Sequence, residues 1–323
     1  MKQDLFLGID GGGTQTKAVL IGQNGTAVDH SVWEALNYNS VGPAQLTAVL
    51  HGILSWAGGY GTPAGVGIAA AGVGNADARH AIQAAIDAFP YRGPVTLAGD
   101  QEAALMGAFG QMRGMVLIVG TGSICYGKNQ KGKDWRTGGW GHRVDDLGSA
   151  YDIGRSILAA AVQGHDGRIP HTELSKLVLE HYGFSDISEM IRFVYAPGTH
   201  KQDIARASIL LDQALEAGDA AAWKIADRAT DEWVRLVLPV ANGLAMQGGA
   251  LALCGSVAQN NLHLRRMFAG KVQAWLPALR IVPPKASACE GAAWMAQKAV
   301  KAPAPRDTVC PAGRPPDSLE AGR

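Results

Sequence analysis

Residues 5–17 combine the residue types that bind a phosphate. An apolar run ends at Asp10, and three glycines, Thr14 and then Lys17 follow. Glycines let backbone N–H groups close around an anion without a clash from Cβ. Hydroxyl groups add donors, and an acid can hold Mg²⁺ through its water shell. The segment predicts a phosphate site with its metal, although glycines alone are equally typical of a tight hairpin turn.

A second turn of the same kind favours the phosphate interpretation. Gly120, Thr121 and Gly122 follow the apolar run 116–119. After each glycine turn comes another apolar run, a polar turn and a third run, which predicts a duplicated strand–turn–strand–turn–strand unit. Neither turn matches a P-loop or a dinucleotide-binding fingerprint, because a strand rather than a helix follows the glycines.

Asp100 lies where a catalytic acid or base is often found. It follows a predicted strand over 95–98 and precedes a predicted helix over 101–109. Ligands gather at the carboxyl ends of strands in open α/β sheets, and a carboxylate there can accept a proton from an attacking hydroxyl. The alternative is that Asp100 is only the N-cap of the helix, a position that favours Asp.

Glycines surround a tryptophan in the segment 138–149. Gly139, Trp140 and Gly141 suggest an apolar wall beside a close backbone approach, a surface against which sugars often lie. The alternative for Trp140 is packing in the core. Asp146 could bind ligand hydroxyls or hold Mg²⁺ through water. We do not expect Asp145 to join it in the site, because adjacent carboxylates repel each other without a cation between them.

Two further positions carry polar groups of interest. Asn37 lies in a polar loop over 35–42 and could bind hydroxyl or acyl groups, with Asn39 as a neighbour that could replace it. The alternative is a turn residue. Gly255 and Ser256 end a predicted strand over 250–254, where a nucleotide base or ribose could rest, or where the chain simply turns into a helix.

Composition excludes several classes of function. The 323 residues are 47% hydrophobic and carry a formal net charge of +1, so no electrostatic footprint for nucleic acid or an anionic membrane is present. The four cysteines form no C-x-x-C pair, which argues against a thiolate metal site and suits reduced thiols. The apolar stretch 236–246 is interrupted by Pro239 and Gly243. We therefore predict a soluble, cytoplasmic protein.

The order of these motifs resembles that of the actin-fold sugar kinases, and within them the N-acetylglucosamine kinase and BadF-type ATPase family. Four stretches carry the resemblance: GIDGGGT at 8–14 for the first phosphate motif, VGTGS at 119–123 for the second, GGWGH at 138–142 with DLGSAY at 146–151, and LCGSV at 253–257 for the adenosine motif. The run 143–145 is more polar than is typical of the family.

The resemblance implies an α/β fold with two lobes, each a ribonuclease H-like domain, and a cleft between them. The first lobe is expected over 1–113, with a helix over 286–301 returning to it. The second is expected over 114–285 with a helical insertion. The Pro-rich tail 302–323 has few large apolar residues, and we expect it to be disordered.

The resemblance also implies roles for individual residues. Asp100 would be the catalytic base, and Asp10 would approach Mg²⁺ through water. The expected sugar contacts are Asn37, Asp100, Gly139, Trp140 and Asp146. The expected nucleotide contacts are Gly12, Gly13, Thr14, Lys17, Gly120, Thr121, Gly122, Gly255 and Ser256.

The implied activity is ATP- and Mg²⁺-dependent phosphorylation of the 6-hydroxyl of an amino sugar, N-acetyl-D-glucosamine first, with glucosamine or N-acetylmuramate as alternatives. The family also holds ATPases that activate 2-hydroxyacyl-CoA dehydratases through a shared iron–sulfur cluster, for which Cys125 is one candidate ligand. A nucleotide-driven binding protein without a sugar site is a third class. No nucleic-acid or membrane partner is expected, and a homodimer is left open.

Overall fold

The structure is a computed structural model that describes residues 4–70 and 72–301. The predicted disordered tail, 302–323, lies outside the described residues. The described residues divide into two compact units, one formed by 4–70, 72–112 and 285–301 and the other by Arg113–Pro284. None of the helices in the described part is long and apolar enough to cross a membrane.

The first unit is built on a five-stranded sheet in the order β3-β2-β1-β4-β5. The strands β1, β2 and β3 form antiparallel pairs, and β4 and β5 extend the sheet in parallel with β1. Its elements before the second unit are β1 (Leu5–Gly11), β2 (Gln15–Gly22), β3 (Ala27–Glu34), α1 (Tyr38–Gly58), β4 (Gly65–Ala70), α2 (Ala76–Asp87), β5 (Val95–Ala98) and α3 (Asp100–Phe109).

The second unit repeats this sheet, in the order β10-β9-β6-β7-β8. Again the first three strands pair antiparallel and the last two pair in parallel. The duplicated unit predicted from the two glycine turns is therefore confirmed. Its strands are β6 (Gly114–Val119), β7 (Ser123–Lys128), β8 (Asp134–Gly138), β9 (Ala250–Cys254) and β10 (Arg280–Val282).

Helices follow β8 and β9 in this unit. They are α4 (Ala150–His165), α5 (Glu173–Tyr182), α6 (Glu189–Tyr195), α7 (Lys201–Ala205), a 3₁₀ turn (Arg206–Ile209), α8 (Leu210–Glu216), α9 (Ala220–Gly243), α10 (Ser256–Asn260) and α11 (Leu262–Trp275). The polar and apolar spacing over 202–217 is typical of one helix, but the 3₁₀ turn divides this stretch into two. Pro239 does not end α9, since Val237, Val240 and Ala241 beside it are fully buried and tertiary packing outweighs the helix-breaking tendency of proline.

The last helix, α12 (Ala288–Lys301), packs backbone to backbone in the first unit. A Cβ on Gly8 of β1 would lie 2.0 Å from the carbonyl oxygen of Cys289, and one on Gly291 would lie 2.1 Å from that of Ala103 in α3. Since neither place can hold a side chain, glycine lets α12 lie directly against both β1 and α3. This packing fixes the start of α3 relative to the end of β1.

Helix α1 was not predicted. Gly42 interrupts it at φ 73° and ψ 169°, and Pro43 follows. These two residues and the asparagines before them are typical of a loop, which concealed the apolar spacing beyond. Leu46, Leu50 and Ile53 are fully buried and recur at helical intervals, a pattern that would have indicated the helix.

Candidate functional site

The first glycine turn joins β1 to β2. The N–H of Gly12 donates to the carbonyl of Gln15 at 3.2 Å. A Cβ on Gly12 would lie 2.8 Å from that carbonyl oxygen, whereas one on Gly13 would meet nothing nearer than Asn37 Nδ2 at 3.8 Å. Gly12 is therefore needed to shape the turn, and Gly13 leaves space beside it. Thr14 is exposed at the tip.

Asn37 lies beside this turn, immediately before α1. Its side-chain nitrogen, Nδ2, is the atom nearest to the space at Gly13. Its backbone carbonyl accepts a hydrogen bond from Val41 N–H at 3.2 Å. The structure thus places Asn37, an expected sugar contact, beside Gly13, an expected phosphate contact, within the first unit. The side chain of the alternative, Asn39, lies outside the described residues.

Asp10 and Asp100 approach each other in the same unit. Asp10 lies opposite Lys17 in the β1–β2 pair and opposite Ala69 in the β1–β4 pair. Burial, and after it the negative charge of Asp100, raise the pKa of Asp10 to about 6, while the positive charge of Lys17 opposes the shift. Both carboxyl groups therefore lie at the edge of the sheet where β1 and β5 end.

Asp100 is the first residue of α3 and not its N-cap. Gly99 occupies the N-cap position, and its N–H donates to Glu102 Oε2 at 2.9 Å. Asp100 Oδ1 accepts from the N–H of Gln101 at 2.9 Å. The N-cap interpretation of Asp100 is therefore wrong. Its carboxylate still lies at the positive end of the helix dipole, which favours a negative charge.

The second glycine turn joins β6 to β7 in the other unit. The N–H of Gly120 donates to the carbonyl of Gly122 at 3.0 Å, and Thr121 is half-buried between them. Ile118 pairs with Cys254 in the parallel β6–β9 register, so the residues that follow both strands share one edge of the sheet. This register places Gly255 and Ser256 at the same edge as the turn.

Gly255 is constrained by the neighbouring strand. It has φ 85°, and a Cβ on it would lie 2.4 Å from the carbonyl oxygen of Val119. Only glycine accommodates both conditions. Ser256, which begins α10, is exposed. The structure therefore explains the glycine at 255 by packing and backbone conformation, and it leaves the side chain of Ser256 accessible to a ligand.

Asp146 lies against the second glycine turn. Its Oδ1 accepts from Ser123 N–H at 3.3 Å, and both carboxylate oxygens are 3.0 Å from where a Cβ on Gly122 would lie. The residue is 5% exposed and has φ 59°. Burial raises its pKa, and the bond from Ser123 and the positive charge of Lys201 act in the opposite direction. The carboxylate of this expected sugar contact thus faces the expected phosphate turn.

Trp140 is on the surface, so the core interpretation of this residue is wrong. Its side chain is 67% exposed, and the guanidinium carbon of Arg136 lies 4.4 Å from the ring centroid. The backbone N–H of Trp140 donates to Asp145 Oδ2 at 3.1 Å. The ring borders a shallow cavity of about 270 Å³ lined also by Thr137, Gly138, Asp145, Leu147, Glu232, Arg235 and Leu236.

The glycine at position 139 is explained without a ligand. Gly139 has φ 73°, and a Cβ there would lie 2.9 Å from Ile124 Cδ1. Its conformation and its close approach to Ile124 both require glycine. The fold alone therefore accounts for the glycine at this position.

Comparison with known proteins agrees with the arrangement of motifs. The model of the BadF/BadG/BcrA/BcrD ATPase family matches residues 7–296. The chain belongs to this ATPase family. The resemblance inferred from the glycine turns, the tryptophan segment and the late Gly-Ser strand end is thereby confirmed.

Three curated relatives of this ATPase family member are named kinases of amino sugars. The N-acetylmuramic acid/N-acetylglucosamine kinase of Clostridium acetobutylicum is 30% identical over 303 residues, covering 90% of this chain and 97% of the relative. The N-acetyl-D-glucosamine kinase of Dictyostelium discoideum is 28% identical over 238 residues, covering 68% and 73%. The glucosamine kinase of Vibrio cholerae is 27% identical over 299 residues, covering 91% and 96%.

Solved structures confirm the predicted α/β fold class. A provisionally assigned N-acetylglucosamine kinase from Chromobacterium violaceum matches with a TM-score of 0.74 and 25% identity, covering 90% of this chain and 98% of that one. A ROK family glucokinase from Streptomyces griseus, at 15% identity, shares the fold with a TM-score of 0.60, covering 91% and 99%. The paired five-stranded sheets of this ATPase family member are those of the actin-like sugar kinases.

Two residues near the candidate site were missed in the sequence. Ser123 donates through its backbone to Asp146 and through Oγ to the carbonyl of Leu147 at 2.8 Å. Its position directly after Gly122, with a hydroxyl group, was a usable indication. Lys201, in α7, acts electrostatically on Asp146 and His142. Nothing in the sequence near Lys201 indicates this electrostatic interaction, because it depends on how the helices after β8 fold back.

The cysteine proposed as an iron–sulfur ligand is inaccessible. Cys125 lies in β7 with no exposed surface, and burial raises the pKa of its thiol. In residues 4–70 and 72–301 no three His, Cys, Asp or Glu side chains are grouped so as to hold a metal ion. A thiol in the core of one sheet cannot ligate a cluster shared between subunits.

Proposed function

We propose that this protein is an ATP-dependent kinase that phosphorylates the 6-hydroxyl of an amino sugar, N-acetyl-D-glucosamine. Membership of the ATPase family and relatives named as amino-sugar kinases support the proposal. The observation that carries it is the meeting of Asp10 and Asp100 beside the first glycine turn. Because ATP is the phosphate donor, we also propose a cytoplasmic location.

Asp100 is the general base in this proposal. Its carboxylate accepts the proton of the attacking sugar hydroxyl as that oxygen bonds to the γ-phosphorus, while the bond from this phosphorus to the β,γ-bridging oxygen breaks and ADP leaves. Placement at the first turn of α3 suits this role, since the helix holds the backbone and Glu102 already caps Gly99. Phosphoryl transfer demands alignment and charge stabilisation more than covalent chemistry.

The residues at this sheet edge fit a Mg²⁺ ion held through water. Carboxylates are suited to Mg²⁺, which keeps several waters and takes its remaining ligands from phosphates. Asp10 is a partly buried acid whose pKa is raised by burial and by the charge of Asp100, so a nearby cation would relieve both effects. When bound, Mg²⁺ neutralises negative charge on the phosphates of ATP. Asp10 would orient its water ligands.

The nucleotide contacts are assigned to the two glycine turns and the β9–α10 corner. The backbone N–H groups and hydroxyls of 12–14 and 120–122 would donate to phosphate oxygens, with Lys17 adding positive charge. The exposed hydroxyl of Ser256, beside the second turn, would bond to the ribose or base. These three segments bind and orient ATP, while Asp100 acts on the sugar.

The sugar contacts are assigned to Asn37, Trp140 and Asp146. The exposed ring of Trp140 offers an apolar face to a sugar, and the amide of Asn37 can donate and accept at hydroxyl or acyl groups. Asp146 contributes acceptor oxygens, with its orientation set by Ser123. The guanidinium of Arg136 already lies 4.4 Å from the centroid of this ring, and its positive charge disfavours the ammonium of glucosamine beside it, which favours the uncharged acetylated sugar.

A sugar panel tests the proposal. ADP release is measured with N-acetylglucosamine, glucosamine, N-acetylmuramate and glucose, and ³¹P–¹H NMR of the product locates the phosphate. The highest kcat/KM is expected with N-acetylglucosamine, with phosphate at C6. A preference for glucosamine or N-acetylmuramate would correct the substrate. ATP consumption that no sugar stimulates would reject the kinase and favour a nucleotide-driven binding protein.

A further inference from the structure

The second glycine turn is held by a neighbouring segment. Residues 146–150, which we call the strap, run between β8 and α4 alongside the turn. One hydrogen bond joins the strap to the turn itself, from Ala150 N–H to the Gly120 carbonyl at 2.9 Å. Two more join it to Ser123, the residue of β7 directly after the turn: Ser123 N–H to Asp146 Oδ1 at 3.3 Å and Ser123 Oγ to the Leu147 carbonyl at 2.8 Å. The backbone conformation of the turn is therefore coupled to the position of the strap.

The strap is anchored at its central residue, Gly148. Its N–H donates to Asp152 Oδ2 at 3.0 Å, and its carbonyl accepts from Trp233 Nε1 at 2.9 Å. Gly148 has φ 70°, and a Cβ on it would lie 2.7 Å from the carbonyl oxygen of Ala229 in α9. Side chains from two helices thus bond both the N–H and the carbonyl of Gly148, and the backbone of α9 leaves no room for a side chain there.

Both anchoring side chains are buried and fixed. Trp233 has no exposed surface and packs edge-on against Phe268, with ring centroids 5.7 Å apart. Asp152 is 3% exposed, and its charge is balanced by Arg228 at 3.0 Å and Arg155 at 3.2 Å. A buried carboxylate and a buried indole N–H are costly unless each has a well-placed partner. Here they share Gly148 as that partner.

We propose that Trp233 and Asp152 are positioning residues for nucleotide binding. Through Gly148 they fix the strap, and the strap fixes the N–H groups and hydroxyls of the second glycine turn in the orientation that receives phosphate. This inference rests on the proposed role of the turn in binding ATP. Neither residue touches the nucleotide; each acts through two intervening hydrogen bonds.

Trp233→Phe tests the indole. Phenylalanine keeps an aromatic ring against Phe268 but leaves the buried carbonyl of Gly148 without its donor. The matched control is Phe268→Leu, which disturbs the same aromatic pair and leaves the Trp233–Gly148 bond in place. Binding of a non-hydrolysable ATP analogue with Mg²⁺ is measured by isothermal titration calorimetry, and thermal stability is measured alongside.

Both variants are expected to lower the melting temperature, but only Trp233→Phe should weaken analogue binding, by threefold or more. In steady-state assays it should raise the KM for ATP by a similar factor and leave the KM for the sugar within twofold. Equal affinity in wild type and Trp233→Phe would overturn the proposal. So would an equal loss in Phe268→Leu, because general destabilisation would then explain the effect.

Asp152 supplies an independent pair of variants. Asp152→Ala removes the acceptor for Gly148 N–H, and analogue binding should weaken by threefold or more. Asp152→Asn keeps an acceptor oxygen at the same place and should restore most of the affinity. Failure of asparagine to restore any affinity would contradict positioning through this hydrogen bond.

The calorimetric readout separates this inference from the proposed kinase activity. A wild-type protein that binds the analogue but phosphorylates no sugar would reject the kinase and leave the Trp233 and Asp152 comparisons valid. A wild-type protein that does not bind the analogue would overturn the positioning proposal itself.

Discussion

Asp10 and Asp100 lie close enough for the charge of one carboxylate to raise the pKa of the other. Asp10 is the second-last residue of β1, the central strand of its sheet, and Asp100 begins the helix that follows the edge strand β5. Burial contributes more than Asp100 to the shift, which reaches about 6. Such a pair is unfavourable without a cation or a shared proton, and it is therefore a strong candidate for the catalytic centre.

Replacing Asp100 by asparagine should abolish most of the turnover. The amide keeps the shape of the side chain and one acceptor oxygen for the N–H of Gln101 but cannot accept the hydroxyl proton, so kcat should fall by roughly a hundredfold or more. Both KM values should stay within about threefold. Asp77→Asn is the matched control, since Asp77 is an acid in the first turn of α2. Near-normal kcat in folded Asp100→Asn would exclude the general-base role.

The raised pKa of Asp10 predicts a pH-dependent stability. Between about pH 4 and about pH 6 the carboxyl group of Asp10 keeps its proton in the native state but has lost it in the unfolded chain. The contribution of this group to the free energy of unfolding therefore falls as the pH rises through that range. Without nucleotide or Mg²⁺, Asp10→Asn should be more stable than wild type at pH 8, by about 1–3 kcal/mol. At pH 4 the difference should largely disappear.

Urea unfolding at both pH values measures this difference. Asp100→Asn removes the negative charge that is the second cause of the raised pKa of Asp10. It should therefore also increase the free energy of unfolding at pH 8 relative to wild type, but by less than Asp10→Asn does. If Asp10→Asn were less stable than wild type at pH 8, the carboxylate would be stabilised in the fold and the assigned environment of Asp10 would be incorrect.

A methyl group at position 13 tests the first glycine turn. The nearest atom to a Cβ on Gly13 is 3.8 Å away, so Gly13→Ala should leave the melting temperature nearly unchanged. If phosphate approaches this position, the KM for ATP should rise several-fold, because the methyl occupies the space used by the anion. Gly74→Ala is the control, since a Cβ there also meets no atom within 4 Å. Unchanged ATP affinity in Gly13→Ala would place the phosphates elsewhere.

Removing the indole of Trp140 should affect the sugar selectively. Loss of a packed aromatic contact is worth about 1 kcal/mol or more, so the KM for the sugar should rise at least several-fold while that for ATP hardly moves. Because the side chain is 67% exposed, the melting temperature should change little. Trp275→Ala, which removes an indole that is 69% exposed on α11, should leave both KM values unchanged. Wild-type sugar affinity in Trp140→Ala would remove the support for an N-acetyl sugar.

The sequence was sufficient for the features that local chemistry specifies. An apolar run followed by an acid and three glycines predicted a strand and a tight turn at 5–14. A second apolar run followed by a glycine turn at 116–123 indicated the duplicated sheets. The strand over 95–98 and the placement of Asp100 after it follow from the same short-range patterns. Gly42 and Pro43 concealed helix α1, because they are typical of a loop whichever element follows.

Tertiary structure alone decided which of these residues meet and what surrounds them. Asp10 and Asp100 approach because β4 and β5 extend the sheet in parallel beside β1 and α12 packs against both β1 and α3, contacts between distant parts of the chain. In the second unit, too, packing between distant parts of the chain determines the surroundings of each side chain. Trp140 and Asp146 lie in one segment of the sequence, but Trp140 is exposed whereas the Asp146 carboxylate faces the second turn. The sequence determines side-chain types and local conformation, whereas burial, electrostatic environment and the partners of a carboxylate depend on long-range packing.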